Sequence, residues 1–176
     1  MASIFSHAAV AVALAPIVLP GHISVRVLAL GALASVLPDA DVVGLRLGIA
    51  YRDLLGHRGL THSLAFAAAL AALLLPLAGS APSRGRLWAY LALATASHGV
   101  LDAFTNGGVG VAFLAPLSNG RYFFPVRPIE VSPIGVSAFF SEWGWRVMAS
   151  ELLWIWLPAG LAAALALLWR RRRRPR

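Results

Sequence analysis

Long runs of apolar residues with almost no charge limit this chain to very few architectures. From Leu64 to Ala78 no side chain is ionisable or able to donate a hydrogen bond. Similar runs cover Ile4 to Leu19, Ile23 to Leu37, Leu87 to Phe104 and Leu152 to Trp169. In hydrocarbon each backbone N–H and C=O must be satisfied within the segment itself, which leaves the α-helix as the form for such a run. Residues are 59% hydrophobic and 12% charged, against about 25% charged in an ordinary soluble domain. The expected fold is therefore all-α: a polytopic membrane helix bundle of about five spans. The first two runs are near or under the length of a full crossing and suit a tight hairpin. Residues 1–169 read as one membrane-embedded domain, and 170–176 as a basic tail.

The first run resembles a secretion signal only in hydrophobicity. It lacks a basic leading region and His7 interrupts its start, so a retained first helix is expected. Residues Thr105 to Ser150 are rich in glycine, proline and aromatics and read as an extramembrane section. Arg121 to Arg127 has hairpin character, giving an expected short β-rich insertion at 105–150. No cysteine is present, which removes disulfides and thiolate ligands from consideration.

All fifteen basic residues are arginines, and six lie between Arg170 and Arg176. A basic run directly after an apolar helix is the usual cytoplasmic anchor. No nucleic-acid-binding module accompanies it, so nucleic acid is not an expected partner. With the C-terminus cytoplasmic, alternation of the spans puts Arg26, Arg84 and Arg86 inside as well. It also gathers the polar clusters on the outer face. The same topology leaves Arg46, Arg52, Arg58, Arg121, Arg127 and Arg146 outside.

Those clusters are His7, Leu37-Pro-Asp-Ala-Asp41, His57-Arg-Gly-Leu-Thr-His-Ser63 and Ser97-His-Gly-Val-Leu-Asp102. Ionisable groups at the edge of a membrane are costly unless they have a function. His98 and Asp102, four apart, share a helix face. Taken alone the pair reads as two polar residues facing water at a helix end. Asp39 and Asp41 would point the same way if the chain were extended after Pro38, and alone they read as turn chemistry. His57 and His62 flank Gly59, with Thr61 or Gly59 as a helix cap. Convergence of all of these makes a metal site, whose mixed nitrogen and oxygen donors suit zinc, with manganese or iron as alternatives. Seven candidates exceed the needs of one catalytic zinc. Two ions, or one ion with orienting neighbours, would account for the surplus. Glu130, Glu142 and Glu151 are further carboxylates from the long section. Arg58, Arg121 and Arg127 are candidates for holding an anionic substrate, since guanidinium matches phosphate geometry.

Together with Phe124-Pro-Val-Arg-Pro-Ile-Glu-Val-Ser-Pro133, these motifs resemble the YdjM-type family of prokaryotic inner-membrane-bound hydrolases. The resemblance runs over nearly the whole chain. It implies a multi-pass, metal-dependent hydrolase of the inner membrane. The motif order is also similar to that of zinc-dependent phospholipase C. By that similarity the metal ligands fall on Asp39, His57, His62, His98 and Asp102, with His7 as a further one. Asp41 is then the expected general base and Arg58 the phosphate-positioning residue, with Arg121 and Arg127 contacting substrate. The expected substrate is a lipid-linked ester, most simply a phosphoester. A metal or proton transporter using the same His/Asp cluster, and a non-catalytic membrane protein with a structural metal, are the competing readings.

Overall fold

Serine starts four of the helices. In the computed structural model, which describes residues 1–19, 21, 23–79 and 83–173, helix α1 (Ile4–Val18) is capped by Ser3. Helix α2 (Val25–Val36) is capped by Ser24. After the short α3 (Val42–Arg46), helix α4 (Leu64–Leu74) is capped by Ser63 and α5 (Arg84–Ala103) by Ser83. In each, the serine oxygen accepts an N–H of the first turn that the helix itself leaves unpaired. The expected cap of α4 at Thr61 or Gly59 is thus corrected: Leu60–His62 is a separate turn of 3₁₀ helix, and Ser63 follows it. His22, Pro82 and Arg174 to Arg176, parts of the expected turn, loop and tail, lie outside the described residues.

Helix α5 is the central element, packed by α1, α2 and α4, while α8 (Leu157–Arg172) lies along α1. Small residues allow these approaches. A Cβ on Gly31 of α2 would stand 2.0 Å from the Tyr90 hydroxyl of α5. That hydroxyl donates to Ala11 O of α1 at 3.1 Å, so one buried tyrosine ties three helices. Ala15, Val27, Ala34, Leu70, Leu74 and Leu91 fill the space around it.

The outside of this bundle is as apolar as the inside. Leu157, Leu161, Leu165 and Leu168 of α8 are all exposed, a surface that suits lipid and not water. Among the described residues, two continuous helical stretches are long and apolar enough to cross a membrane, Val25–Arg46 and Glu142–Arg172. Ile4–Val18 and Leu64–Ala78 are apolar but shorter. At 1.5 Å per residue the 15 residues of α1 reach about 22 Å, short of the roughly 30 Å hydrocarbon core. The expectation of five spans is reduced to two by this measure.

The β-rich insertion is also corrected. Among the described residues there is no strand at 105–150, only single bridges pairing Thr105 with Ile129 and Val111 with Tyr122. Pro125, Pro128 and Pro133 lack the N–H that a ladder needs. The last part of this section is helical: α6 (Val136–Phe139), then α7 (Glu142–Glu151), which runs through a wide π-helical turn at Leu152–Trp156 into α8.

Candidate metal centre

Helix α5 contributes two donors one turn apart: His98 Nε2 lies 4.0 Å from Asp102 Oδ2. Beyond α2 the chain tightens into a 3₁₀ turn over Leu37–Asp41. At three residues per turn, positions two apart diverge by about 120°. Asp39 and Asp41 therefore point apart, contrary to the expectation for an extended chain, and meet opposite sides of His62. Asp39 Oδ1 approaches His98 Nε2 at 3.3 Å and His62 Nε2 at 3.8 Å. Asp41 takes His57 Nδ1 at 2.6 Å on one oxygen, and faces His62 Nδ1 at 3.2 Å on the other.

His62 thus lies between two carboxylate groups. Its Nδ1 faces Asp41, and its Nε2 faces Asp39 and, at 3.6 Å, Asp102 Oδ2. The ligand atoms of Asp39, His62, His98 and Asp102 lie within 4.8 Å of one another. Both oxygens of Asp39, Nε2 of His62 and His98, and Oδ2 of Asp102 are buried without a hydrogen-bond partner among the described residues. Such groups are ordinarily satisfied, and leaving five unpaired costs several kcal/mol. A divalent cation would take one such atom from each of the four residues. The tautomers agree: His98 Nδ1 is 2.7 Å from the Ser35 carbonyl, which requires Nδ1 to donate and leaves the Nε2 lone pair for the metal. His62 Nδ1 meets the Thr61 hydroxyl oxygen at 3.0 Å, and that hydroxyl donates to Asp41, which favours a donating Nδ1 in the same sense.

Asp41, His57 and His62 form a second group of the same size. Here the facing atoms are already engaged with each other. Asp41 Oδ2 also accepts the Arg58 N–H at 3.2 Å and the Thr61 hydroxyl at 2.5 Å. This group suits orientation of His62 better than a second ion. His7 stacks on His98 with ring centres 3.6 Å apart, its Nε2 3.6 Å from Asp102 Oδ1. It adjoins the four-residue group without joining it.

Arg58 adopts φ 64, a left-handed conformation unusual outside glycine. Its guanidinium is fully buried, with Nε 3.1 Å from Asp102 Oδ2 in an ion pair not aligned as a hydrogen bond. The other nitrogens donate to Gly107 O and Thr105 Oγ1. It touches the metal group directly and is turned inward. Arg121 donates to the carbonyls of His57, Asp53 and Tyr51, fastening the loop that carries His57. Burial pushes the Tyr51 phenol in that loop above its ordinary pKa. Arg127 is exposed over the Phe123 ring. Glu130 accepts from Asn106, Glu142 pairs with Arg146, and Glu151 is buried beside α1. Ser35, Thr105 and Ser3 were not legible as site residues, because a lone hydroxyl on a helix or loop carries no spacing signal.

The sequence that builds this centre is matched as a whole. A family model described as "YdjM inner membrane protein" covers residues 1–174. The chain belongs to that family. Another protein similar to it is inner membrane protein YbcI of Escherichia coli (strain K12). That protein is 38% identical over 175 residues, which is 98% of this chain and 100% of YbcI. Family membership and the leucine-covered surface of α8 together make this an inner membrane protein. No solved structure matches the chain.

Proposed function

We propose that this member of the YdjM family is a membrane-bound, metal-dependent hydrolase of a lipid-linked ester, most simply a phosphoester. The observation that carries the reading is the convergence of Asp39, His62, His98 and Asp102, each with an unpartnered donor atom and with one ligand atom apiece within 4.8 Å of the others. Four donors fit one ion, with zinc first among the candidates and manganese or iron next. When bound, such an ion polarises the ester oxygen and makes a nearby water acidic enough to lose a proton near neutral pH.

The residues themselves do the remaining work. His98 is held by Ser35 O, and His62 by Asp41, which His57 holds in turn. Asp41 was the sequence-based candidate for the general base, yet both its oxygens are engaged, which supports an orienting role. Asp39 is the better-placed base. Its second oxygen is unpartnered, and at 11% its side chain is the most exposed of the four. Substrate then approaches from the Asp39 side. Arg58 balances Asp102, Arg121 holds the His57 loop, and Arg127, exposed over Phe123, is a cation able to meet a phosphate. An apolar groove lined by Met1, Ile4, Phe5, Pro133, Phe139 and Phe140 runs beside the segment that contacts Asp102 and suits an acyl chain.

The arginine tail supports a cytoplasmic C-terminus and, with it, a multi-pass arrangement that has the site at the outer face. Transport is the less supported reading, because the donors gather at one end of the bundle. The test is a panel of phospholipids and lipid pyrophosphates, assayed with Zn²⁺ or Mn²⁺ and with a chelator. Metal-dependent release of product, lost in Asp39→Asn, is the expected result. No release from any of them, alongside selective ion flux in proteoliposomes, would move the assignment to a transporter.

A further inference from the structure

Glu151 is a buried carboxylate that the proposed chemistry does not use. It ends α7 where the helix widens into the π turn at Leu152–Trp156, and single turns of this kind concentrate at functional places in helices. Its side chain is fully buried, an expensive placement in a membrane protein. Both oxygens are occupied. One accepts the Ser3 N–H at 2.5 Å, and the other accepts the hydroxyls of Ser3 at 2.5 Å and Ser6 at 2.7 Å. The Ser6 hydroxyl accepts the indole N–H of Trp156, from the π turn itself, at 2.7 Å.

The neighbouring peptide reaches the metal group. Ala2 N–H donates to Asp102 Oδ1 at 2.8 Å, and Met1 O accepts the Ser132 N–H at 2.9 Å. Two successive N–H groups, of Ala2 and Ser3, are therefore each taken by a carboxylate from a different helix. Holding Oδ1 on Ala2 leaves Oδ2 of Asp102 facing His62 and His98. The segment also leads into the turn of α1 that stacks His7 on His98.

We propose that Glu151 is a positioning residue for the metal centre, acting through the Met1–Ser6 segment to set the Asp102 carboxylate. The proposal rests on the reading that Asp39, His62, His98 and Asp102 hold an ion. A simpler role as polar glue between α1 and α7 predicts lost stability alone, so the test must separate stability from ligand geometry.

Full-length protein in detergent is titrated with Co²⁺ against a competing chelator, and its ligand-field spectrum is recorded. Glu151→Ala is expected to weaken Co²⁺ binding by about 10–100-fold, as removal of an orienting neighbour does, and to change the spectrum. Glu151→Gln keeps an acceptor for the Ser3 N–H and is expected to restore much of both. Leu74→Ala, a core truncation in α4 (Leu74 is 7% exposed), should lower the melting temperature while leaving affinity and spectrum as in wild type. If Glu151→Ala does not yield folded protein, Ser3→Ala carries the same test, with a smaller loss expected. Wild-type affinity and spectrum in the folded variant overturn the proposal. A wild type that binds no Co²⁺, Zn²⁺ or Mn²⁺ overturns it together with the metal reading, and that result is distinguishable because it precedes any variant.

Discussion

Arg58→Met tests the electrostatic logic of the centre most directly. The guanidinium Nε and Asp102 Oδ2 are 3.1 Å apart, and both side chains are fully buried. At an effective dielectric of about 20, unit charges at that separation attract by roughly 5 kcal/mol. Removing one partner of a buried pair usually costs about 3–5 kcal/mol, because the other charge is left uncompensated. The two lost hydrogen bonds add less, since Thr105 Oγ1 keeps its bond to Asp102 O. Metal-free Arg58→Met should therefore melt roughly 6–20 °C below wild type, at about 2–4 °C per kcal/mol for a chain of this size. A divalent cation beside Asp102 takes over the compensation that Arg58 gave, and no longer faces a cationic neighbour. The deficit should shrink when Zn²⁺ is saturating. Linkage then requires the variant to bind Zn²⁺ more tightly by the same free energy, about tenfold for each 1.4 kcal/mol recovered. Melting curves with chelator and with Zn²⁺, plus a competition titration, measure both sides. An equal deficit in the two conditions with unchanged affinity would show that Arg58 and the ion do not share Asp102.

The remaining predictions address topology, orientation and packing. Ser118→Cys should react with an impermeant thiol reagent from outside the cell and Gly85→Cys should not; a Cβ at Gly85 meets nothing within 4 Å, so this reporter leaves the fold intact. The reverse labelling pattern would put the site in the cytoplasm. Asp41→Asn should keep the helices by circular dichroism but weaken metal binding about 10–100-fold, since His62 loses the carboxylate that orients it; unchanged affinity would return Asp41 to the role of base. Gly31→Ala drives a methyl against the Tyr90 hydroxyl and should cost about 1–3 kcal/mol, part of it recovered in the double variant with Tyr90→Phe. A melting curve unaffected by Gly31→Ala would contradict the close α2–α5 approach.

What the sequence made visible was what local spacing encodes. His98 and Asp102 were legible because four residues make one helical turn, and the apolar runs of α1, α2, α4 and α5 because each is nearly uninterrupted. The roles within the centre were not. The spacing of Asp39 and Asp41 alone suggests that they point the same way, whereas the 3₁₀ turn sets them on opposite sides of His62. Arg121 looked free for substrate, although its hydrogen bonds are closed by carbonyls 64 to 70 residues away. The hairpin expected at Arg121–Arg127 failed because Pro125 and Pro128 interrupt any ladder. Helix α7 escapes a sequence reading because it is only 10 residues long and follows a stretch rich in glycine and proline. The bond from Glu151 to Ser3 joins residues 148 apart, a distance that no local pattern reports.

The helix ends supply an argument for a cation that is separate from the unpartnered donors. The start of α1, the turn after α2, the start of α4 and the last turn of α5 meet in one place, as the contacts of His7, Asp39, His62 and Asp102 show. Helix N-termini carry partial positive charge and C-termini partial negative charge, each about half an elementary charge. Asp102 therefore lies at an end where a carboxylate is disfavoured by about 0.3–1 kcal/mol, and α5 has no basic residue in its last turn to offset this. Asp39 lies in the first turn of the 3₁₀ segment that continues α2 into α3. Arg58 pairs with Asp102, while His62 and His98 face Asp39. With Asp102 fully buried in a last turn and both oxygens of Asp39 unpartnered, a divalent ion held by Asp39, His62, His98 and Asp102 would stabilise the cluster on both counts.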